Sequence, residues 1–199
     1  MGKRISSSFY NREDVVSLAR ELIGKRLCTF ISKQYTSGII TETEAYAGVT
    51  DKASHAFGGR FTERTKTMYE KGGTSYVYLC YGIHHLFNIV TNKKGTPHAI
   101  LIRGIFPEEG IEIMLQRRGK TKADKTLAAG PGTVSQALGI LTKHSGISLL
   151  EETIWLEETG IRIPPELVSA GPRIGVDYAG EDASLPYRFL LKETSWLKK

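Results

Sequence analysis

The residues most able to do chemistry are those that a sheet interior does not ordinarily hold. Arg103 interrupts Ala99-Ile100-Leu101-Ile102-Arg103-Gly104-Ile105, which otherwise reads as a buried strand. Burying an unpaired charge costs several kcal/mol, so this guanidinium needs a partner. The stretch 39–46 alternates so that Glu42, Glu44 and Tyr46 share one face. If that face looks into a cavity, Glu44 is a carboxylate within reach of an aromatic ring. If it looks outward, Glu42 and Glu44 are surface charges, and spacing alone favours that second reading. Asn88 lies in Leu86-Phe87-Asn88-Ile89-Val90, where a strand would carry an apolar side chain, and its amide needs partners from the protein or from a ligand. Tyr81 adjoins Gly82 after Tyr76-Val77-Tyr78-Leu79-Cys80. A ring protruding at that turn suits a wedge or stacking platform, whereas a ring turned into the sheet is plain packing.

Other chemistries find less support. His84 and His85 are neighbours in an expected strand and so point to opposite faces, and His55, His98 and His144 are scattered without ligand spacing, so no metal is expected. Cys28 and Cys80 sit in apolar runs and match neither a metal pattern nor a disulfide framework, which points to a reducing compartment. Neither a phosphate-binding loop, nor a dinucleotide fingerprint, nor a nucleophile elbow is present.

The elements that must position these residues can be read from periodicity. Asn11 is expected to cap a helix with Val15, Val16, Leu18, Ala19, Leu22 and Ile23 on its apolar face and Gly24 at its stop. Stretches 26–32 and 38–46 read as a hairpin joined across Ser37-Gly38, followed by a glycine-containing loop and a short basic helical stretch over 62–71. The densest strand signal covers 75–81, 83–90 and 98–106, separated by Gly82 and by Asn92-Lys93-Lys94-Gly95, which predicts adjacent antiparallel strands. Pro107-Glu108-Glu109 is expected to open a helix reaching about Arg118. A basic loop over 120–125 then leads to Ala128-Ala129-Gly130-Pro131-Gly132 and another short helix, with short strands around 147–156 and 189–192. Helices at both ends of an antiparallel sheet predict an α+β fold.

With 199 residues and 40% apolar composition, the chain can bury a real core but not two comfortable ones, so 1–199 is expected to be a single domain. Its formal charge of +6 and pI near 9.3 tilt toward a polyanionic partner. No apolar run approaches the roughly 18 residues of a membrane span, and the start lacks the apolar core of a signal peptide, so a cytoplasmic or nuclear protein is expected. Met1-Gly2-Lys3-Arg4-Ile5-Ser6 fits the loose N-myristoylation pattern, but a single acyl chain binds membranes only marginally, and the pattern is set aside.

Taken in order, Glu42-Thr43-Glu44-Ala45-Tyr46, Ser54-His55, Gly58-Gly59-Arg60, Gly73-Thr74-Ser75-Tyr76-Val77-Tyr78, Tyr81-Gly82, Asn88, Leu101-Ile102-Arg103 and Gly130-Pro131 resemble the alkyladenine (3-methyladenine, methylpurine) DNA glycosylase family. The tail, Arg173-Ile174-Gly175-Val176 to Pro186-Tyr187-Arg188-Phe189, is similar to the end of that family. The resemblance implies a curved antiparallel sheet flanked by helices, a β-hairpin that inserts into DNA, and no cofactor. It implies Glu44 as the general base, Arg103 as a holder of the attacking water, and Tyr46, His55 and Tyr78 as the pocket for a flipped base. Tyr81 would fill the gap in the duplex, and Asn88 would crowd the exocyclic amino group of guanine. Arg60, Arg64 and Thr133 are the DNA-binding candidates; where the family often has a basic residue after Gly-Pro, this chain has Gly132-Thr133, which leaves Lys125 or Lys143 as other sources of a phosphate contact.

The expected partner is double-stranded DNA carrying damaged purines, bound by a monomer that is nucleoid-associated in a bacterium or nuclear in a eukaryote. Expected substrates are 3-methyladenine, 7-methylguanine, hypoxanthine and ethenoadenine, removed without strand cleavage. A nucleosidase acting on free nucleosides and a non-catalytic nucleic-acid-binding module are the rivals. The second accounts for the charge and Tyr81 but not for Glu44 and Arg103.

Overall fold

A computed structural model describes residues 2–194 and Leu197; Met1 of the acylation pattern and the last positions of 1–199 lie outside the described residues. The chain forms β1 (Lys3–Arg4), α1 (Ser7–Tyr10), α2 (Val15–Glu21), β2 (Arg26–Ile31), β3 (Gln34–Tyr46), β4 (Ser75–Cys80), β5 (His84–Thr91), β6 (His98–Glu109), α3 (Ile111–Arg118), α4 (Pro131–Leu138), β7 (Ile154–Glu158), β8 (Val168–Gly171) and β9 (Arg188–Leu191). Its sheet is antiparallel in the order β1-β7-β2-β3-β6-β5-β4, with β9 joined to β3 and β8 to β9. This is the expected α+β architecture. Among the described residues no helix is long and apolar enough to cross a membrane.

Long β3 organises the rest. Its first half pairs with β2, the segment Glu42–Glu44 pairs with β9, and the opposite edge runs along β6. Alternation along the strands then separates two faces. Phe87, Ile89, Ile100 and Ile102 face a core completed by Leu18 of α2, Met114 of α3 and Val134 and Leu138 of α4. Asn88, Ala99, Leu101 and Arg103, on the other parity, line a cavity.

Four local expectations are corrected. Asp14, not Asn11, caps α2, its carboxylate accepting from Val16 N–H at 3.1 Å and Ser17 N–H at 3.0 Å; losing such a cap costs about 1 kcal/mol. The tight turn between β2 and β3 is Ser32-Lys33, whose φ values of 55° and 60° match the twist of a two-residue hairpin. Gly38 lies inside β3, where a Cβ would stand 2.8 Å from the Phe106 carbonyl oxygen, so the glycine permits close strand approach rather than a turn. Pro107 does not open a helix: β6 continues to Glu109, because Pro107 sits beside a register shift opposite Gly38, where a missing ladder N–H is tolerated. The basic stretch shortens to a single 3-10 turn, Lys66–Tyr69.

Candidate active site

The centre of the site is an irregularity in the β3–β6 ladder. Ile40 pairs with Ile105, Glu42 with Gly104 and Thr43 with Ile102, so Thr41 on β3 and Arg103 on β6 are each an extra residue. Bulges of this kind re-aim side chains and release a backbone group from the ladder. Here the freed Arg103 carbonyl accepts from Gly130 N–H at 2.7 Å, tying the bulge to the start of α4. The Arg103 side chain turns to two carboxylates: Nε donates to Glu42 Oε1 at 3.0 Å and stands 3.4 Å from Glu44 Oε1. Glu42 also accepts from Arg188 Nε of β9 at 2.6 Å.

Glu44 has no exposed surface, which removes the outward-facing alternative. Its Oε2 accepts from the Tyr46 hydroxyl and its Oε1 from the Ile174 N–H, both at 2.8 Å. Burial pushes its pKa above the ordinary carboxylate value, while Arg103, the Ile174 N–H and the Tyr46 hydroxyl pull it back. The result is a carboxyl group made more basic by burial and kept ionisable by its donors. Tyr46, Arg103 and Ile174, the three groups around it, line a cavity of about 620 Å³.

Aromatic rings wall that cavity. His55 meets the Tyr78 ring edge-to-face, with centroids 4.7 Å apart, and Tyr76 lies beside both. Arg64 Nη2 donates to His55 Nε2 at 3.3 Å, which leaves the ring proton on Nδ1 to donate to the Tyr76 hydroxyl at 2.9 Å. Burial, with the Arg64 and Arg60 charges nearby, lowers the His55 pKa to about 4, so the ring is neutral at physiological pH. The Arg64 guanidinium itself lies 4.7 Å from the Tyr78 ring centroid, a cation–π contact. Asn88, also on the cavity, is satisfied by the protein: its Nδ2 donates to the carbonyls of Tyr76 at 3.1 Å and Leu86 at 3.3 Å. That fixes the amide orientation.

At the mouth, β4 and β5 are joined by Tyr81-Gly82-Ile83, with φ values of 50° and 74° at Tyr81 and Gly82 and an Ile83 N–H donating to the Cys80 carbonyl. Positive φ at both positions defines a tight hairpin turn. Tyr81 is 91% exposed and so does not pack in the sheet; Leu79 and Ile83 beside it are exposed as well. Thr133 is at the cavity rim with its hydroxyl donating to the Gly130 carbonyl, and Arg60 is on the exposed loop that carries Phe57 and Phe61.

A buried, arginine-paired carboxylate beneath an aromatic cavity, with a protruding ring at its mouth, agrees with what the chain is similar to. The sequence profile of the family described as Methylpurine-DNA glycosylase (MPG) matches residues 8–195. The chain belongs to this family. Membership makes it a DNA glycosylase, a DNA-repair hydrolase of N-glycosyl bonds. Among relatives of this glycosylase, a Chlamydia felis protein designated a 3-methyladenine DNA glycosylase is 47% identical over 188 residues, covering 94% of this chain and 95% of the relative. One from Bacillus cereus (strain G9842) with the same designation is 42% identical over 204 residues, covering 96% and 97%.

The glycosylase also places at the site residues that sequence reasoning assigned no role. Arg173 is buried and pairs with both oxygens of buried Asp51. Ile174 supplies the N–H to Glu44, Tyr76 braces His55, and Tyr178 lines the rim. The one signal available was the position of Arg173-Ile174-Gly175 within the family-like tail. This segment is irregular, so no periodicity indicated that Arg173 is buried.

Proposed function

We propose that this glycosylase flips alkylated or deaminated purines, among them 3-methyladenine, 7-methylguanine, hypoxanthine and ethenoadenine, out of duplex DNA and hydrolyses the bond between base and deoxyribose. The observation that carries this reading is the fully buried Glu44, bonded by Tyr46 and Ile174 and facing Arg103 under the aromatic cavity. As the N-glycosidic bond breaks, positive charge develops on the sugar; a carboxylate both stabilises that charge and takes a proton from the attacking water. Glu44 takes the proton, the water oxygen bonds to the sugar carbon, and the base leaves with the bonding electron pair. Arg103 lines the cavity 3.4 Å from Glu44 Oε1 and so can hold the attacking water on the cavity side of the pair, beside the carboxylate.

Tyr46, His55 and Tyr78 stack the flipped base, and an aromatic wall attracts a cationic alkylpurine. Asn88, held rigidly by two carbonyls, leaves no room for the amino group of guanine. Tyr81 enters the space vacated in the duplex, and Arg60, Arg64 and Thr133 contact the DNA backbone. The whole of 1–199 acts as one monomeric domain on DNA in the cytoplasm or nucleoid. The test is release of abasic sites from methylated duplex DNA and from oligonucleotides holding hypoxanthine or ethenoadenine. Lesion-dependent abasic sites are expected. Cleavage of free nucleosides with intact DNA would instead identify a nucleosidase, and DNA binding without any abasic sites a non-catalytic module.

A further inference from the structure

We propose that Arg173 is a positioning residue for the catalytic carboxylate: its ion pair with Asp51 clamps the segment entering Ile174 against the end of β3, keeping the Ile174 N–H and the Tyr46 hydroxyl aimed at Glu44. The inference rests on Glu44 being the general base. Arg173 Nη1 and Nη2 grip the two oxygens of Asp51, and Nη1 also donates to the Ala45 carbonyl at 2.9 Å. Ala45 is the residue between Glu44 and Tyr46, so the fork holds the backbone of both. Nη2 reaches the Asp182 carbonyl at 3.1 Å, and the guanidinium carbon lies 4.9 Å from the Tyr46 ring centroid and 5.2 Å from that of Tyr187.

Asp51 extends the clamp forward, accepting from Ala47 N–H at 2.9 Å and Ala53 N–H at 3.0 Å and so closing the loop that leads from Tyr46 to His55. Arg173 Nε is buried without a partner among the described residues, so the guanidinium is oriented by its Nη groups and the two rings alone. A purely structural ion pair has no reason to meet the one carbonyl between base and pocket wall and to precede directly the N–H that bonds the base. The groups facing Glu44 are Arg103 across the bulge, Glu42 two residues earlier on β3, Arg188 through Glu42, Tyr46, the Ile174 N–H, and Tyr178 and Arg173 from the tail.

Arg173→Lys keeps the charge and loses the fork; Asp51→Asn keeps the shape and loses the charge. Each is assayed for single-turnover excision across pH beside Glu44→Gln, with lesion-DNA affinity and melting temperature measured on the same preparations. A slackened clamp leaves the Glu44 carboxylate with poorer donors, so ionisation needs higher pH. The expected result is an excision rate lower by about tenfold or more, an acid limb moved to higher pH, and DNA affinity within about twofold of the parent. A lowered melting temperature with the parental rate and acid limb in the folded protein would overturn the proposal, and if one variant does not fold the other decides. Normal excision by Glu44→Gln would remove the base assignment itself, an outcome distinct from an inactive Glu44→Gln alongside unaffected clamp variants.

Discussion

Glu44 balances opposed demands: burial makes it a stronger base, and Arg103, Ile174 and Tyr46 keep it able to ionise. Because its pKa lies above the ordinary carboxylate value, the ionised form is lost as pH falls through that raised value. Single-turnover excision should therefore show an acid limb above the usual carboxylate range, governed by one proton; a rate flat down to the range of an exposed carboxylate would contradict this. Asn88 bears on selectivity. Its amide is pinned by the Tyr76 and Leu86 carbonyls, so it cannot swing aside for a larger base edge. Asn88→Ala or Asn88→Ser should raise guanine release from undamaged DNA, measured by chromatography of the freed bases, and unchanged release would count against steric exclusion. At this scale Arg103 was legible because a charge in an apolar strand demands an explanation, whereas Glu44 lies in a polar stretch whose spacing favoured an outward face, and the family resemblance alone pointed to it. Arg173 was not legible, because a charge in an irregular segment demands no explanation until its burial is seen.

In the proposed function the element that meets DNA is the β4–β5 hairpin. Unstacking a base costs a few kcal/mol, and an inserted ring recovers part of it by stacking on the bases that remain. Tyr81→Ala should lower the flipped population reported by ethenoadenine fluorescence, while Tyr81→Phe should largely preserve it. With the ring 91% exposed, the melting temperature should barely change; a large fall in melting temperature with unaltered fluorescence would show that the ring serves the fold instead. Of the strands carrying the site, 39–46 was readable from period-2 alternation and the others from dense β-rich runs between turn residues. Turns and ends were less so. Gly38 imitates a turn residue but provides close approach, the actual turn uses the non-glycine pair Ser32-Lys33, and Pro107 stays in a strand because a register shift spares its missing N–H. These choices depend on the neighbouring strand, which local sequence does not contain. The short strands β1 and β8 carry too few residues for any pattern.

For the whole molecule, the formal charge of +6 implies that association with DNA releases counterions and weakens with salt. If Arg60 is a phosphate contact, Arg60→Ala should weaken binding about equally for lesion and undamaged duplexes and reduce the slope of log affinity against log salt by about one. An unchanged slope would place Arg60 away from the backbone. Fold, charge, cavity and hairpin all serve the proposed chemistry, in which a buried carboxylate activates water to hydrolyse the bond to a damaged purine. Its most direct test is single-turnover excision from methylated or ethenoadenine-containing duplex by the parent and by Glu44→Gln, which keeps the shape of the side chain and removes its capacity to accept the proton. The expected result is abasic sites from the parent and a rate at least about 10²-fold lower for Glu44→Gln, with lesion binding retained. Excision by Glu44→Gln at the parental rate would contradict it.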